Sequence, residues 1–424
     1  MARRVVITGL GVVSPNGIGL EEFGSALRTG KSGIRHNESL EKLKFACQIS
    51  AIPQVSEELK ASYYSPLFLK FIQNTAIIFG GIAGIDAMND AGLAANEETD
   101  WDSGVIFGCG SLAMDQFIGD KLWMVNEGRT RHLGSRVIEQ TMNSGASAFL
   151  GGHFGFGNLV ASNSSACSTG TEAVLQGYER IKYGKAKRML CGSCESHGAY
   201  NWAAFDSMRI LCRNSNEEPE KGSRPMSEDA FGFVPGTGAG ALVLEDYETA
   251  VERGAKIYAE ILGGEVNSGG QRSGGTMTAP SSEGVKRCIL TSLANSNIGK
   301  NDIDGICGHL TSTMADPLEI RNWSEALDRK GKDFPYVNAL KSMIGHCLGA
   351  AGSIELVATV LQLYNSYFHG SLNINHLHPE IEKYADAEKI PQQCINFDGE
   401  IIAKASFGFG DINACLILKK WKKQ

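Results

Sequence analysis

The sequence predicts a layered α/β protein that consists of two similar halves. Short apolar runs typical of buried strands alternate with segments whose apolar residues recur at helical spacing. The chain has 424 residues, more than is usual for one domain, yet no charged, Pro-rich or Ser-rich linker divides it. Two glycine-rich segments, residues 231–244 and 407–418, also resemble each other. Together these observations indicate duplicated halves that share one core.

The predicted elements follow from apolar runs and their spacing. Three runs predict buried strands: residues 5–7, 104–107 and 240–244. Residues 171–181 predict a helix, because Val174, Tyr178 and Ile181 recur on one helical face. Residues 354–363 predict a second helix of this kind. Strands and helices therefore alternate along the chain.

The internal repeat sets the predicted division of the chain. Each glycine-rich segment predicts a turn followed by a buried strand. The stretch around Cys167, a polar turn that opens a helix, has its counterpart in residues 341–361. We place the join within residues 247–258, and assign residues 1–252 to the N-terminal half and 253–424 to the C-terminal half.

Composition and charge narrow the classes of function. With 42% hydrophobic and 21% charged residues, the chain can form a large core. Its formal net charge is −7, and apart from the short tail 419–423 it has no basic run, so we expect no nucleic-acid partner. The N-terminus continues directly into a strand, and no segment approaches the apolar length of a membrane span. We therefore expect a cytoplasmic protein.

The cysteines predict free thiols, and the glycines do not predict a nicotinamide site. Eleven cysteines without a secretion signal fit a reducing compartment better than a disulfide framework. Cys191 and Cys194 have metal or redox spacing, but no second pair accompanies them, so we interpret them as buried structural residues. Residues 9–11 and 236–240 lack the full GxGxxG spacing, which argues against a dinucleotide cofactor.

Cys167 is the candidate nucleophile. It lies where a polar turn of small residues, 163–170, meets a helix predicted to begin near Ser168. Unpaired N–H groups and the helix dipole at that position favour a thiolate, and small neighbours leave room for a thioester carbonyl. The Cys167 amide can donate to the resulting oxyanion. The alternative interpretation is a buried structural cysteine.

Two histidines are candidate partners of the thiol. His309 follows the apolar residues 303–306 and precedes three hydroxyl residues, 311–313, which can bond an amide-bearing substrate arm. His346 lies between Gly345 and Cys347, where glycines allow close approach of backbone and substrate. A histidine satisfied within a turn is the alternative interpretation for His309. One thiol and two imidazoles suit carbon–carbon bond formation from thioesters.

Lys341 and Glu355 flank the His346 segment. They can fix the orientation or protonation of its imidazole, and the alternative is a surface or structural ion pair.

With these segments, the chain resembles the elongating, Cys-His-His branch of the β-ketoacyl-acyl-carrier-protein synthases over nearly its whole length. Other matching segments are residues 5–15, 223–225 and 406–410. The resemblance implies a thiolase-like fold, in which two βαβαβαββ halves form five layers, αβαβα. It also implies an acyltransferase whose site lies between the halves and is covered by an obligate dimer.

The same resemblance implies a reaction. Cys167 would accept an acyl chain from acyl-carrier protein, and malonyl-carrier protein would then lose carbon dioxide and attack that thioester. The product would be a 3-ketoacyl thioester two carbons longer, in fatty-acid or type II polyketide biosynthesis. We expect neutral His309 and His346 to donate hydrogen bonds where the negative charge develops. We expect no metal and no intrinsic cofactor, because the carrier protein supplies the phosphopantetheine arm.

Further roles come from the resemblance, residue by residue. The backbone amides of Cys167 and Phe409 would form the oxyanion hole, and the Phe409 ring would be the gate between acyl pocket and access tunnel. Thr311 and Thr313 would contact the phosphopantetheine arm. Lys341 and Glu355 would be a supporting ionisable pair.

Phe407 and Ser111 are the expected acyl-binding residues. Ser111 takes a pocket-floor position that relatives often fill with a bulkier apolar residue, which predicts a long or polar acyl chain. Residues 66–70 offer one lysine where relatives carry several cations. We therefore assign the carrier-protein contact to four arginines: Arg129, Arg131, Arg209 and Arg213.

Departures from the family pattern predict a specialised enzyme. Leu310 and Asp411 stand where glycine is usual, and residues 226–233 lack the usual Arg-Asp. The dimer is either a homodimer or, as in type II polyketide synthases, a heterodimer with a homologous chain-length factor. Two other functions stay open: a non-catalytic subunit like that factor, which typically lacks the nucleophile, and a thiolase acting on coenzyme A, whose second cysteine motif is not evident. We interpret Cys347 as a packing residue.

Overall fold

The computed structural model describes residues 3–112 and 114–422 of the chain. Its strands are β1 (Val5–Ser14), β2 (Gly17–Ile18), β3 (Ile34–His36), β4 (Ile49–Ala51), β5 (Ser103–Cys109), β6 (Val160–Ala161), β7 (Arg188–Glu195), β8 (Gly238–Asp246), β9 (Ala259–Ser268), β10 (Gly305–Cys307), β11 (Tyr336–Asn338), β12 (Tyr367–Phe368), β13 (Ile395–Asn396), β14 (Ile401–Gly408) and β15 (Ile412–Lys420).

The α-helices alternate with these strands. They are α1 (Gly19–Thr29), α2 (Glu38–Lys42), α3 (Glu57–Tyr63), α4 (Pro66–Phe71), α5 (Thr75–Asp90), α6 (Leu122–Asn126), α7 (Val137–Thr141), α8 (Gly145–Phe154), α9 (Thr169–Lys182), α10 (Ala199–Ser207), α11 (Tyr247–Glu252), α12 (Ser282–Asn295), α13 (Asp316–Leu327), α14 (Lys341–Ile344), α15 (Ala351–Asn365) and α16 (Pro379–Glu382).

The strand order confirms the predicted duplication. The N-terminal half has the order β6-β5-β7-β8-β1 and the C-terminal half has β11-β10-β14-β15-β9. If the five strands of each half are renumbered one to five along the chain, both halves have the same spatial order, three-two-four-five-one. The pairing directions agree as well, since β5–β7 and β10–β14 are parallel whereas β7–β8 and β14–β15 are antiparallel. The two first strands, β1 and β9, pair through residues 5–7 and 259–261 and join the halves into one sheet.

The helices complete five layers. Helices α5 and α8 pack on one face of the N-terminal strands, and α12 packs on the corresponding face of the C-terminal strands, with α13 packed against α12. Helices α9 and α15 contact each other and strands of both halves, so they form the middle layer. Residues 351–363 of α15 are therefore all buried. The predicted thiolase-like αβαβα arrangement is confirmed.

The predicted elements coincide with this architecture. The three predicted strands lie within β1, β5 and β8, and the two predicted helices lie within α9 and α15. The glycine-rich repeat corresponds to β8 and β15, the fifth strands of their halves. The proposed division after residue 252 falls at the end of α11, in the connection between β8 and β9, and stays a prediction.

All eleven cysteines are free thiols, as the sequence predicts, and both Cys191 and Cys194 are buried within β7. Among the described residues, each helix is too short or too polar to cross a membrane. The end of the basic tail, Lys423, lies outside the described residues, as does the start of the chain, 1–2.

Candidate active site

Three turns bring the predicted nucleophile and histidines together. Cys167 lies in a 3-10 turn directly before α9, and the preceding Ala166 has a positive φ of 49°. His309 follows β10, and His346 lies in the turn between α14 and α15. The Cys167 sulfur and one nitrogen of each imidazole all lie within 4.8 Å of one another. The predicted constellation therefore forms a single site where the two halves meet.

The three side chains line one cavity of about 430 Å³. Its wall comes from both halves of the protein, which is why the site requires the complete fold. Eight of the predicted site residues line it: Ser111, Cys167, His309, Thr311, Thr313, His346, Phe407 and Phe409.

Hydrogen bonding fixes the tautomer of His346. Its Nδ1 accepts from the Leu348 amide at 3.1 Å, so in the neutral ring the proton lies on Nε2. Nε2 is 3.2 Å from the Cys167 sulfur. Burial, reinforced by the charges of Lys341 and Lys404, lowers the pKa of His346 well below its ordinary value. Neutral His346 is therefore a hydrogen-bond donor toward the sulfur and cannot take the thiol proton at Nε2.

His309 is also held neutral. Burial is the main cause of its strongly lowered pKa, and the charges of Lys341 and Lys404 and the neighbouring His346 add to it. The two imidazole rings are 5.4 Å apart between centroids and nearly perpendicular. The His309 amide donates to Glu319 at 2.7 Å, which anchors the backbone beneath the ring. Both rings can thus donate toward the same point in the cavity.

The Cys167 thiol differs from the expectation. Burial raises its pKa to about 11, although the charge of Lys341 and the Phe409 amide oppose that rise. The backbone amides at this turn do lower the pKa, as predicted, but desolvation of the charged form outweighs them. The thiol is protonated at neutral pH in the unliganded protein.

The backbone amides of Cys167 and Phe409 face the sulfur and lower its pKa, as expected for donors of an oxyanion hole. Gly408 makes this approach possible, since a Cβ there would lie 3.2 Å from the Cys167 amide nitrogen. The Phe409 ring is half-buried and 6.1 Å from the Phe205 ring. Phe407 lies next to the end of β14, is buried, and packs toward Trp323.

Lys341 and Glu355 form a fully buried ion pair, with Nζ and Oε1 2.5 Å apart. The alternative of a surface pair is wrong. Burial by itself would lower the pKa of Lys341, but its attraction to Glu355 leaves that pKa raised. Lys404, which the sequence analysis missed, binds the other oxygen of Glu355 at 2.9 Å.

Two buried carboxyls were also missed. Glu195, at the end of β7, accepts the amides of Ser111 at 3.0 Å and Gly349 at 2.9 Å. Glu319 of α13 accepts the amides of His309 and Leu310. Burial raises the pKa of each carboxyl to about 7. Through these hydrogen bonds the two carboxyls hold the turns that form the cavity wall. Neither lies in a recognisable motif, so the sequence does not distinguish them from surface acidic residues.

The remaining predicted substrate contacts are placed as follows. Thr311 and Thr313 are half-buried, line the cavity, and share a hydrogen bond of 2.9 Å between their hydroxyls. Ser312 is buried and accepts the Arg224 amide, so its hydroxyl belongs to the protein interior. Ser111 is half-buried at the opposite wall, beside Glu195.

The four predicted carrier-protein arginines are exposed and fall into two groups. Arg209 lies between two residues of the cavity wall, Met208 and Ile210, and Arg213 lies 5.1 Å from the Phe231 ring. Arg129 and Arg131 belong to the segment between α6 and α7 and do not line the cavity. Phe231 does not line the cavity, so the structure places only Arg209 directly beside the cavity wall.

Comparisons with known proteins agree with this geometry. Residues 2–250 match the family model described as "Beta-ketoacyl synthase, N-terminal domain", and residues 258–375 match that of the C-terminal domain. The chain is 33% identical to 3-oxoacyl-[acyl-carrier-protein] synthase 2 of Vibrio harveyi, over 99% of both chains.

Two solved structures have the same fold. One is a type II polyketide acyl-carrier protein in complex with its ketosynthase bound to a hexaketide, with a TM-score of 0.88, 27% identity and full coverage of both chains. The other is the ishigamide ketosynthase/chain length factor, with a TM-score of 0.88, 26% identity and full coverage of both chains. The fold, the site and these matches show that the chain belongs to the β-ketoacyl synthase family and is an acyltransferase of the ketosynthase type.

Proposed function

We propose that this protein condenses malonyl-acyl-carrier protein with an acyl chain held on Cys167, and that it releases carbon dioxide and a 3-ketoacyl-carrier protein. The observation that carries this proposal is the convergence of Cys167, His309 and His346 within 4.8 Å on one cavity. A thiol supplies the acyl acceptor, and two neutral imidazoles supply donors for an enolate.

The first half-reaction is acyl transfer. The Cys167 sulfur attacks the carbonyl of the acyl-carrier thioester, and the amides of Cys167 and Phe409 bind the tetrahedral oxyanion. The carbon–sulfur bond to the carrier then breaks, and the carrier thiol leaves with the proton that Cys167 gave up. Because the Cys167 pKa is raised to about 11, this proton must depart during acylation rather than before it.

The second half-reaction is condensation. The malonyl carbon–carbon bond breaks, carbon dioxide leaves, and the electron pair forms an enolate whose oxygen accepts from Nε2–H of His346 and from His309. The enolate carbon attacks the acyl thioester on Cys167. The carbon–sulfur bond breaks, the Cys167 thiolate takes a proton from water, and the product leaves with two more carbons.

The partner is an acyl-carrier protein, which brings its own phosphopantetheine arm to Thr311 and Thr313. We assign its docking to the exposed arginines, with Arg209 beside the cavity wall and Arg213, Arg129 and Arg131 as further contacts. The two solved structures, a ketosynthase in complex with an acyl-carrier protein and a ketosynthase/chain length factor, support a carrier partner and, as the alternative to a homodimer, a chain-length-factor partner. Native mass spectrometry of the assembled protein distinguishes an equal pair from an unequal pair.

Intact mass after incubation with acyl-carrier protein tests the function. The wild type is expected to gain the mass of one acyl group and Cys167→Ala to gain none, whereas the control Cys394→Ala, at a half-buried thiol outside the cavity, should acylate normally. His309→Ala and His346→Ala should acylate but lose carbon dioxide release from malonyl-carrier protein. Acylation that persists in Cys167→Ala rejects the nucleophile, and turnover of acetyl-CoA without malonyl substrate favours a thiolase.

A further inference from the structure

Lys404 is a completely buried lysine beside the active site. It lies on β14, and its Nζ is 2.9 Å from Glu355 Oε2 and 3.0 Å from the Ser406 hydroxyl. Nζ also donates to the Ala405 carbonyl. Lysine is rarely buried without an oppositely charged partner. Here that partner is the Glu355 carboxylate, which also forms an ion pair with Lys341.

The charges around Lys404 do not balance. Glu355 also pairs with Lys341 at 2.5 Å, so two buried cations share one buried carboxylate. The other titratable groups affected by the charge of Lys404 are the imidazoles of His309 and His346 and the thiols of Cys307 on β10 and Cys415 on β15. Burial raises the pKa of these thiols to about 11 and about 12, so both are neutral. A further buried carboxyl, Glu319, interacts with Lys341 and has a pKa raised to about 7, so at neutral pH it offsets this second positive charge only in part.

This surplus charge lies next to the chemistry. The positive charges of Lys404 and Lys341 lower the pKa of both His309 and His346, because they disfavour protonation of either imidazole. A buried net charge costs stability, and a well-packed apolar residue could replace Lys404 without leaving Glu355 unpaired. Features that cost stability concentrate at functional sites.

We propose that Lys404 is a positioning residue for the condensation: it adds a buried positive charge that, together with burial, disfavours an imidazolium at His309 and His346 and favours the transient enolate. Lys404 does not line the cavity, so it acts through the field rather than by contact. An imidazolium would pair with the malonyl carboxylate and stabilise the ground state. A neutral imidazole instead donates to the thioester oxygen, where charge develops. The inference rests on the proposed function.

The test is the pH profile of carbon dioxide release from malonyl-carrier protein by Lys404→Met. Methionine keeps the length of the side chain and removes the charge, and Glu355 keeps Lys341 as its partner. We expect the acidic limb of the profile to move up by about one pH unit and the maximal rate to fall about tenfold. Acyl transfer to Cys167, read by intact mass, should stay within about threefold of the wild type.

Lys404→Arg, which keeps the charge, should retain the wild-type acidic limb, and Lys383→Met at an exposed ion pair is the control for lysine loss. Lys404→Gln replaces the methionine variant if the latter does not fold. If Lys404→Met or Lys404→Gln folds and acylates but keeps the wild-type pH profile of carbon dioxide release, the proposed role of Lys404 is rejected and the proposed function is unaffected. Absence of carbon dioxide release by the wild type counts instead against the proposed function.

Discussion

At the scale of single residues, environment decides the chemistry of Cys167. The thiol lies at a helix N-terminus, which favours a thiolate, but it is also in an apolar cavity, which disfavours any charge. The effect of burial is the larger of the two and raises the pKa of the thiol to about 11. At neutral pH only a small fraction of Cys167 is therefore thiolate before a substrate carbonyl engages the sulfur.

This balance predicts a steep pH dependence for chemical modification. Alkylation of Cys167 by iodoacetamide should be slow at pH 7 and accelerate about tenfold per pH unit towards a pKa near 11, since only the thiolate reacts. The rate is followed by intact mass, with peptide mapping to locate the label, and free cysteine serves as the reference with its pKa of about 8.5. A plateau reached near neutral pH would contradict the raised pKa.

The sequence predicted the reactive residues that lie in turns of small residues. It did not predict the buried charged residues that hold those turns or surround them. Cys167 and His346 lie in turns rich in the small residues Ser, Ala and Gly, which the sequence shows directly. Glu195, Glu319 and Lys404 act on elements distant in sequence, and the fold alone brings them to the site. The signal that the sequence offered was Lys404 itself, the charged residue of strand β14, whose other residues are uncharged.

At the scale of elements, the two halves use the same turn to start their middle-layer helices. A 3-10 turn precedes α9 and another precedes α15, and each begins with a positive φ, 49° at Ala166 and 48° at Leu348. One turn contains Cys167, and in the other the Leu348 amide donates a hydrogen bond to Nδ1 of His346. The weak repeat in the sequence thus marks the two turns that hold the chemistry.

Asp411 ties another pair of elements together. It follows the loop that carries Phe409, has a φ of 58°, and is fully buried. Its carboxylate accepts the amides of Gln271 at 3.0 Å and Ser281 at 2.8 Å. These residues lie in the segment 269–281, which lines the cavity through residues 278–280. The departure from glycine therefore adds a clamp between this segment and the Phe409 loop.

Replacement of the clamp should loosen the segment. Asp411→Asn tolerates the positive φ but accepts fewer amides, so we expect a loss of about 1–3 kcal/mol of local stability. Hydrogen exchange by mass spectrometry should be faster in residues 269–281 and unchanged in β5. Asp398→Asn, at an exposed position, is the matched control. Equal protection in both variants would show that Asp411 does not hold the segment.

At the scale of the whole molecule, the site exists because two halves dock through one pair of helices. Cys167 comes from the N-terminal half, and both histidines come from the C-terminal half. Helices α9 and α15 approach closely where glycines replace side chains, since a Cβ at Gly170 would overlap the backbone of Ser353 and one at Gly352 would overlap Thr171. The duplicated strands were predictable from apolar runs, but this contact depends on three-dimensional register.

Gly170→Ala should therefore damage both stability and condensation. The added methyl group forces α9 and α15 apart, and we expect a loss of about 1–3 kcal/mol in urea unfolding. Because α9 begins two residues after Cys167, the shift also moves the sulfur relative to His346, so condensation should fall more than acylation.

The matched control is Gly24→Ala within α1, where a Cβ meets no atom within 4 Å. That change removes backbone freedom from the unfolded chain and should stabilise the protein by up to about 1 kcal/mol without an effect on catalysis. If both glycine variants unfold at the same urea concentration, the close approach of α9 and α15 does not limit stability. If Gly170→Ala condenses at the wild-type rate, the register of these two helices does not set the distance between Cys167 and His346.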